Sequence, residues 1–271
     1  MEISAIGHYL LQGENKMNNL LEFKDKKVLI TGASRGIGAK MAEVFGSLNA
    51  ELLLCDLPSQ QKILEEMASV LLIPQEKIHL YSVDVRDIGT IKIMMEQIKR
   101  DNLSVDVLIN NAGINSYLSP FELQEKQWDD IMDVNLKGTF FMTRAVSEAF
   151  LIESKGNIIS IASQHGVVAN YNRVHYCASK AGIIQMTKAL ALEWSKFSVR
   201  VNCISPTFVE TKENHNLLYE SSFKRSALHK IPLKLYAQAE DIANAAVFLA
   251  SPMAKMITGH NLIVDGGWTI Y

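Results

Sequence analysis

In the stretch "HYCASK" at residues 175–180, Tyr176 and Lys180 stand four positions apart among mostly small residues. On a helix, residues i and i+4 lie on one face, so a phenol and an ammonium share a direction with little bulk between them. A phenol titrates near ~10 in water, too high for a general base at neutral pH. A cation beside it favours the phenolate and brings that value down. The pair reads as a proton-transferring group with its electrostatic tuner, or else as two polar residues on a solvated face. Ser163, ending an apolar run, offers a hydroxyl that could hold a substrate oxygen, or is a cap. Asn135, inside "DVNLKGTF", is unusual in a helix interior; it could kink the helix and hold a water behind the lysine, or be a satisfied core amide.

Such groups need elements to position them. The segments 27–31, 50–55, 77–83, 105–110, 156–162, 198–205 and 261–264 are mostly continuously apolar, as strands buried on both faces of a parallel sheet must be. Between them, 36–48, 59–71, 87–101, 125–154, 175–196 and 238–250 carry amphipathic helical patterns. This alternation predicts an α/β fold: a single Rossmann-type domain with a doubly wound parallel sheet of about seven strands flanked by helices. Residues 24–271 form that domain, and 1–23 read as an N-terminal extension. Residues 207–235 are the least regular. The stretch 207–230 is expected to act as a mobile lid, too polar and irregular to be core.

The chain has 271 residues and a formal charge of −2, which gives no field for nucleic acid or an acidic membrane. Cys55, Cys177 and Cys203 lack metal-ligand spacing and a paired framework, so reduced thiols and a cytoplasmic setting are expected, with no metal. No apolar run reaches membrane length, and the first residues do not read as a signal peptide.

"VLITGASRGIGAK" runs from a strand into a helix start. Gly32, Gly36 and Gly38 permit a tight turn and close ligand approach, and the helix N-terminus, with Ser34, Arg35 and Ile37, faces a pyrophosphate. Asp56 closes the second strand about 20 residues further on, the place of an acid that binds the adenosine ribose. Its carboxylate accepts from a free 2′-hydroxyl and repels a 2′-phosphate, and Leu57 adds no positive charge. Arg35 argues the other way; the acid is weighted more heavily, so NAD is expected before NADP.

The ordered set "TGASRGIG" (31–38), "DV" (84–85), "NNAG" (110–113), Asn135, Ser163, "YCASK" (176–180) and "DGG" (265–267) resembles the short-chain dehydrogenase/reductase family from about residue 24 to the end. The resemblance implies a catalytic tetrad of Asn135, Ser163, Tyr176 and Lys180. Tyr176 would exchange the proton, Ser163 steady the oxygen, Lys180 hold the nicotinamide ribose and lower the tyrosine pKa, and Asn135 support a proton relay. It also implies adenine contacts at Asp84 and Val85. Ribose-side contacts would come from Asn111, Ala112 and Gly113, and nicotinamide-side contacts from Pro206, Val209 and Thr211. Thr207 departs from the family's usual glycine after Pro206, so the turn must avoid positive φ there or accept strain.

"QHGVVANYNRVH" is similar to the corresponding stretch of the family's sugar and polyol dehydrogenases. With Ser163 and Tyr176, His165 and Asn170 are the expected substrate contacts; Asn172 and Arg173 read equally well as subunit contacts. The C-terminal "MITGHNLIVDGGWTIY" is similar to that of members that form homotetramers. The expected activity is hydride transfer between NAD(H) and a secondary alcohol or ketone, in a polyol, sugar or sugar acid. The alternatives are an NADPH-dependent 3-oxoacyl thioester reductase and a catalytically inactive nucleotide-sensing protein; the intact tetrad argues against the latter.

Overall fold

Seven continuously apolar segments form one parallel sheet in this computed structural model, which describes residues 21–270. The strands are β1 (Lys27–Thr31), β2 (Glu51–Asp56), β3 (Ile78–Ser82), β4 (Val107–Asn110), β5 (Asn157–Ile161), β6 (Arg200–Pro206) and β9 (Asn261–Val264), in the spatial order β3-β2-β1-β4-β5-β6-β9. A short parallel pair, β7 (Val209–Glu210) with β8 (Ala237–Gln238), lies apart from that sheet. The main helices are α1 (Gly36–Ser47), α2 (Gln61–Ser69), α3 (Ile88–Arg100), α4 (residues 125–154), α5 (Val174–Trp194), α6 (His215–Tyr219), α7 (Ser221–Lys230) and α8 (Ala239–Ala250). The doubly wound, seven-stranded reading of the sequence is the fold observed.

Successive strand residues point to opposite faces, and both faces are covered. Val28, Ile30, Leu52 and Leu54 pack with Met41 and Phe45 of α1 and Ile242 and Ala246 of α8. Leu29, Leu53 and Leu108 pack on the other face with Ile91 and Met94 of α3 and Met142 and Val146 of α4. β1 pairs with β2 on one side and β4 on the other, so the chain reverses its direction of winding there. The carboxyl ends of β1 and β4 open a crevice at that switch, the ordinary ligand position in such sheets.

Three details differ from expectation. Phe23, assigned to the extension, is buried against Phe45 with ring centroids 4.9 Å apart, and its N–H donates to the Leu48 carbonyl at 2.8 Å. The packed body thus reaches back to that residue; residues 1–20 of the expected extension lie outside the described ones. The long helix α4 is not uniformly α-helical: π turns at Asp133–Gly138 and Ser147–Leu151 interrupt it, the first around Asn135. The segment expected to be too irregular and polar for a core instead forms α6 and α7. Leu218 and Ala227 of these helices join Ile231, Tyr236 and Trp268 in a small apolar cluster. Sparse apolar residues, separated by polar ones on two short helices, converge only when the helices fold against the chain end. Among the described residues no helix is long and apolar enough to cross a membrane.

Candidate active site

The nucleotide end of the crevice is a backbone cradle. Gly32 and Gly36 adopt φ of +63° and +55°, a region that glycine enters without a Cβ penalty. A Cβ on Gly38 would stand 2.2 Å from the Gly32 carbonyl oxygen. Asp56 ties the cradle to β2: its carboxylate accepts from the Ser34 N–H at 3.0 Å and from the Leu57 N–H at 2.8 Å. Val83 N–H donates to the Asp56 carbonyl at 2.8 Å, which brings Asp84 and Val85 alongside. The Asp84 carboxylate is clasped by Arg86, which holds it below the usual carboxylate range. Arg35 and Leu57 are exposed at the rim. The residues present fit a dinucleotide: Gly32 and Gly38 leave no room for a Cβ, and the buried Ser34 hydroxyl has no partner within the protein.

"NNAG" lines the cavity through Asn111 and Gly113, and it also braces the glycine turn. Asn111 turns its amide to the Thr31 and Gly32 carbonyls at 3.0 and 2.9 Å, and Thr31 Oγ1 accepts from the N–H groups of Asn111 and Ala112. The Asn111 side chain is therefore spent on holding the glycine turn. Gly113 lies between the two remaining expected groups; a Cβ there would meet Asn135 Oδ1 at 3.3 Å and Lys180 Nζ at 3.5 Å.

The structure brings Asn135, Ser163, Tyr176 and Lys180 to one floor. Asn135 is fully buried, and its amide bonds both backbone groups of Ile114 and the Ser179 hydroxyl. Its side chain is thus a brace for the 113–114 turn; its carbonyl accepts from Thr139 Oγ1 at 2.7 Å. Lys180 Nζ lies 5.7 Å from the Tyr176 ring centroid and donates to the Ile161 carbonyl at 2.7 Å. Burial pulls the Lys180 pKa down to about 8. Burial also raises the Tyr176 pKa, and the Ser163 hydroxyl and the Arg173 guanidinium act against that rise. The two cations flank the phenol at nearly equal distance, Lys180 at 5.7 Å and Arg173 at 5.6 Å from the ring centroid, so Arg173 joins the expected tuner Lys180 beside Tyr176.

Above this floor lies a cavity of about 320 Å³ whose lining includes Ile37, Gly113, Ser163, His165, Tyr176, Lys180, Pro206, Val209 and Thr211. Of the expected substrate contacts, His165 faces it, whereas Asn170 stands behind, with its amide 3.3 Å from His165 Nε2. His165 is buried against Phe208 and Trp268, and desolvation with the Lys230 charge lowers its pKa to about 4. It is therefore neutral at pH 7. Thr207 keeps out of the positive-φ region, so its substitution for the usual glycine is unstrained, and its N–H donates to the Val264 carbonyl at 3.0 Å. Thr211 Cγ2 would be 3.4 Å from a Cβ on Gly36, so the start of the 207–230 segment touches the glycine turn.

Sequence reasoning did not place Tyr117 in this wall; Phe208, Leu217 and Leu218 fall in the 207–230 stretch expected to close over substrate, and Arg173 was left between a substrate contact and a subunit contact. Asn172 is exposed at φ +57°, but Arg173 is only 3% exposed within the single chain. It stacks 3.8 Å from the Tyr117 ring centroid, which a subunit-contact reading does not accommodate. The available signal was the charge itself, next to a sequence of rings and amides ahead of Tyr176.

Comparison with known proteins matches residues 32–269 to the family model described as "Enoyl-(Acyl carrier protein) reductase". An NAD-dependent glycerol dehydrogenase of Listeria innocua is 36% identical over 91% of this chain and 94% of its own. A 3-oxoacyl-[acyl-carrier-protein] reductase of Thermotoga maritima is 32% identical over 92% of this chain and 100% of its own. A solved Agrobacterium tumefaciens structure with bound NADP superposes at a TM-score of 0.81, with 31% identity, covering 93% of this chain and 100% of that one.

Proposed function

The chain belongs to the short-chain dehydrogenase/reductase family and is thus an oxidoreductase of CH–OH groups; we propose that it transfers a hydride between NAD(H) and a secondary alcohol or ketone in a polyol, sugar or sugar acid. One observation carries this reading. Around Tyr176, the His165 Nδ1, Thr207 Oγ1 and Arg173 Nε atoms are buried without protein partners. Each such group costs about 1–3 kcal/mol if left bare in a complex. A ligand with several oxygens satisfies them, and an acyl chain does not.

When bound, the nicotinamide supplies the hydride acceptor for oxidation and the donor for reduction. Tyr176, as phenolate, takes the hydroxyl proton of the alcohol; as phenol it returns a proton to the ketone oxygen. Ser163 donates its hydroxyl to the same oxygen and so favours the charge that develops there. Lys180, whose ammonium donates to the Ile161 carbonyl at the cavity floor, would hold the nicotinamide ribose. Asn135 holds the 113–114 turn, which would support the ribose. The start of the 207–230 segment, through Leu218, lines the cleft, and Thr211 would face the carboxamide side.

Asp56 supports NAD over NADP. Its carboxylate already accepts from two N–H groups and would meet a 2′-phosphate with like charge. Asp56→Ser with Leu57→Arg should reverse the preference, read as the ratio of NADP(H) to NAD(H) dissociation constants; tighter NADP(H) binding by the unaltered protein would instead assign the choice to Arg35.

A panel of alditols, aldoses, aldonates and 3-oxoacyl thioesters, followed by nicotinamide absorbance with both cofactors, tests the substrate class. Turnover confined to acyl thioesters with NADPH would replace this reading by thioester reduction, the one suggested by the Thermotoga maritima relative. We expect a cytoplasmic homotetramer, supported by the free thiols of Cys55, Cys177 and Cys203 and by exposed apolar residues such as Leu192 and Ile270.

A further inference from the structure

Arg173 is a buried cation on the wall of the substrate cleft. Its side chain belongs to the residue just before α5, and it lies 5.6 Å from the Tyr176 ring centroid and 5.8 Å from that of Phe208. Its guanidinium has aromatic faces around it, but Nε is buried without a partner, and among the described residues it makes no ion pair or hydrogen bond through its side chain. Desolvation lowers its pKa only to about 10, so it carries its charge at pH 7. Taking a guanidinium out of water costs several kcal/mol, and stacking on a ring returns only part of this. Proteins seldom bury arginine unpaired. The planar fork matches a carboxylate in a two-point, charge-assisted contact.

We propose that Arg173 binds a carboxylate of the substrate and selects hydroxy or keto acids of the sugar-acid class over neutral polyols. This deepens the polyol, sugar or sugar-acid reading and rests on it. The placement suits a bifunctional substrate. The reacting carbon sits at Tyr176 and Ser163, the acid group reaches Arg173, and intervening hydroxyls meet His165 and Thr207. The N-terminus of α5, a 21-residue helix, adds its positive end to the same region. A phosphate ester, with up to two charges, is the competing anion. A single unpaired guanidinium ringed by Tyr117, Tyr176 and Phe208 fits the smaller, planar, singly charged group.

The test uses the full chain, the nicotinamide it accepts, and matched substrates: D-gluconate and D-galactonate, the corresponding aldonamides and alditols, and D-glucitol 6-phosphate. Each acid should exceed its amide and alditol in kcat/KM by about ten- to hundredfold. Arg173→Gln should remove most of that advantage, chiefly through KM for the acid, and Arg173→Lys should restore part of it. A structural role, or the loss of a charge beside Tyr176, would lower the acid and the amide together and leave their ratio unchanged. The thermal midpoint with cofactor bound reports whether a variant folds; if Arg173→Gln does not, the acid-to-amide ratio of the unaltered enzyme decides. Equal turnover of acid, amide and alditol would overturn the carboxylate assignment and leave the polyol reading standing. So would faster turnover of the phosphate ester, or an acid preference that survives Arg173→Gln. Turnover of acyl thioesters alone would remove both readings.

Discussion

Tyr176→Phe is expected to lower kcat by about 10²–10⁴-fold, the usual worth of a positioned proton-transfer group, while nicotinamide binding persists. The ring still packs beside His165 and Arg173, so the change removes the transferable proton and little else. The pH dependence is the sharper diagnostic. Oxidation needs the phenolate and reduction the phenol. Burial raises the pKa of the phenol, so oxidation should quicken as pH rises into the alkaline range, and reduction should slow. The groups that set the inflection are Ser163 and Arg173, which favour the phenolate, and Cys177, which opposes it. Arg173→Gln should shift the inflection upward for a neutral alcohol substrate. Stopped-flow measurement of the hydride step separates this from product release. A phenylalanine variant that turns over at a normal rate would end the assignment of Tyr176.

Gly38→Ala is expected to weaken cofactor binding by at least about tenfold, although it adds one methyl group. That methyl would lie 2.2 Å from the Gly32 carbonyl oxygen, 2.6 Å from Asn111 Nδ2 and 3.0 Å from Ala33 Cα. Two of the three are backbone atoms, so no side-chain rotation relieves the clash. Either α1 retreats or the glycine turn opens, and the 2.9 Å bond from Asn111 to Gly32 is lost with it. Overpacking of this kind costs about 1–3 kcal/mol in stability. The same displacement moves the helix-start N–H groups that would face a pyrophosphate, so NADH affinity should fall at least about tenfold, equivalent to 1.4 kcal/mol. NADH fluorescence titration and the thermal midpoint of the cofactor-free protein measure the two effects separately. Unchanged affinity would mean that the turn does not cradle the dinucleotide.

Most of this frame is determined by local properties that a sequence displays. Buried parallel strands have no solvent face, so they stay apolar without alternation, and β1 and β9 fall at the expected 27–31 and 261–264. A helix start that must admit a ligand cannot carry side chains at Gly32 and Gly38, so its glycines stand out. Tyr176 and Lys180 share a helix face because four residues make about one turn.

What the tertiary structure alone decided are the destinations of polar groups. An asparagine, lysine or arginine has many candidate partners, and the one it takes depends on segments distant in the chain. Asn111 serves the Gly32 turn, Asn135 the Ile114 backbone, Lys180 the end of β5, and Asn170 the ring of His165. Arg173 shows this most fully. Nothing in its neighbours tells whether its charge meets water, another subunit or a ligand. The packing of Tyr117 and Phe208 against it, from loops far apart in sequence, removes the water and supplies no anion. Desolvation and charge pairing are properties of a three-dimensional surrounding, so only the folded chain reveals that this cation is buried without an anion beside it.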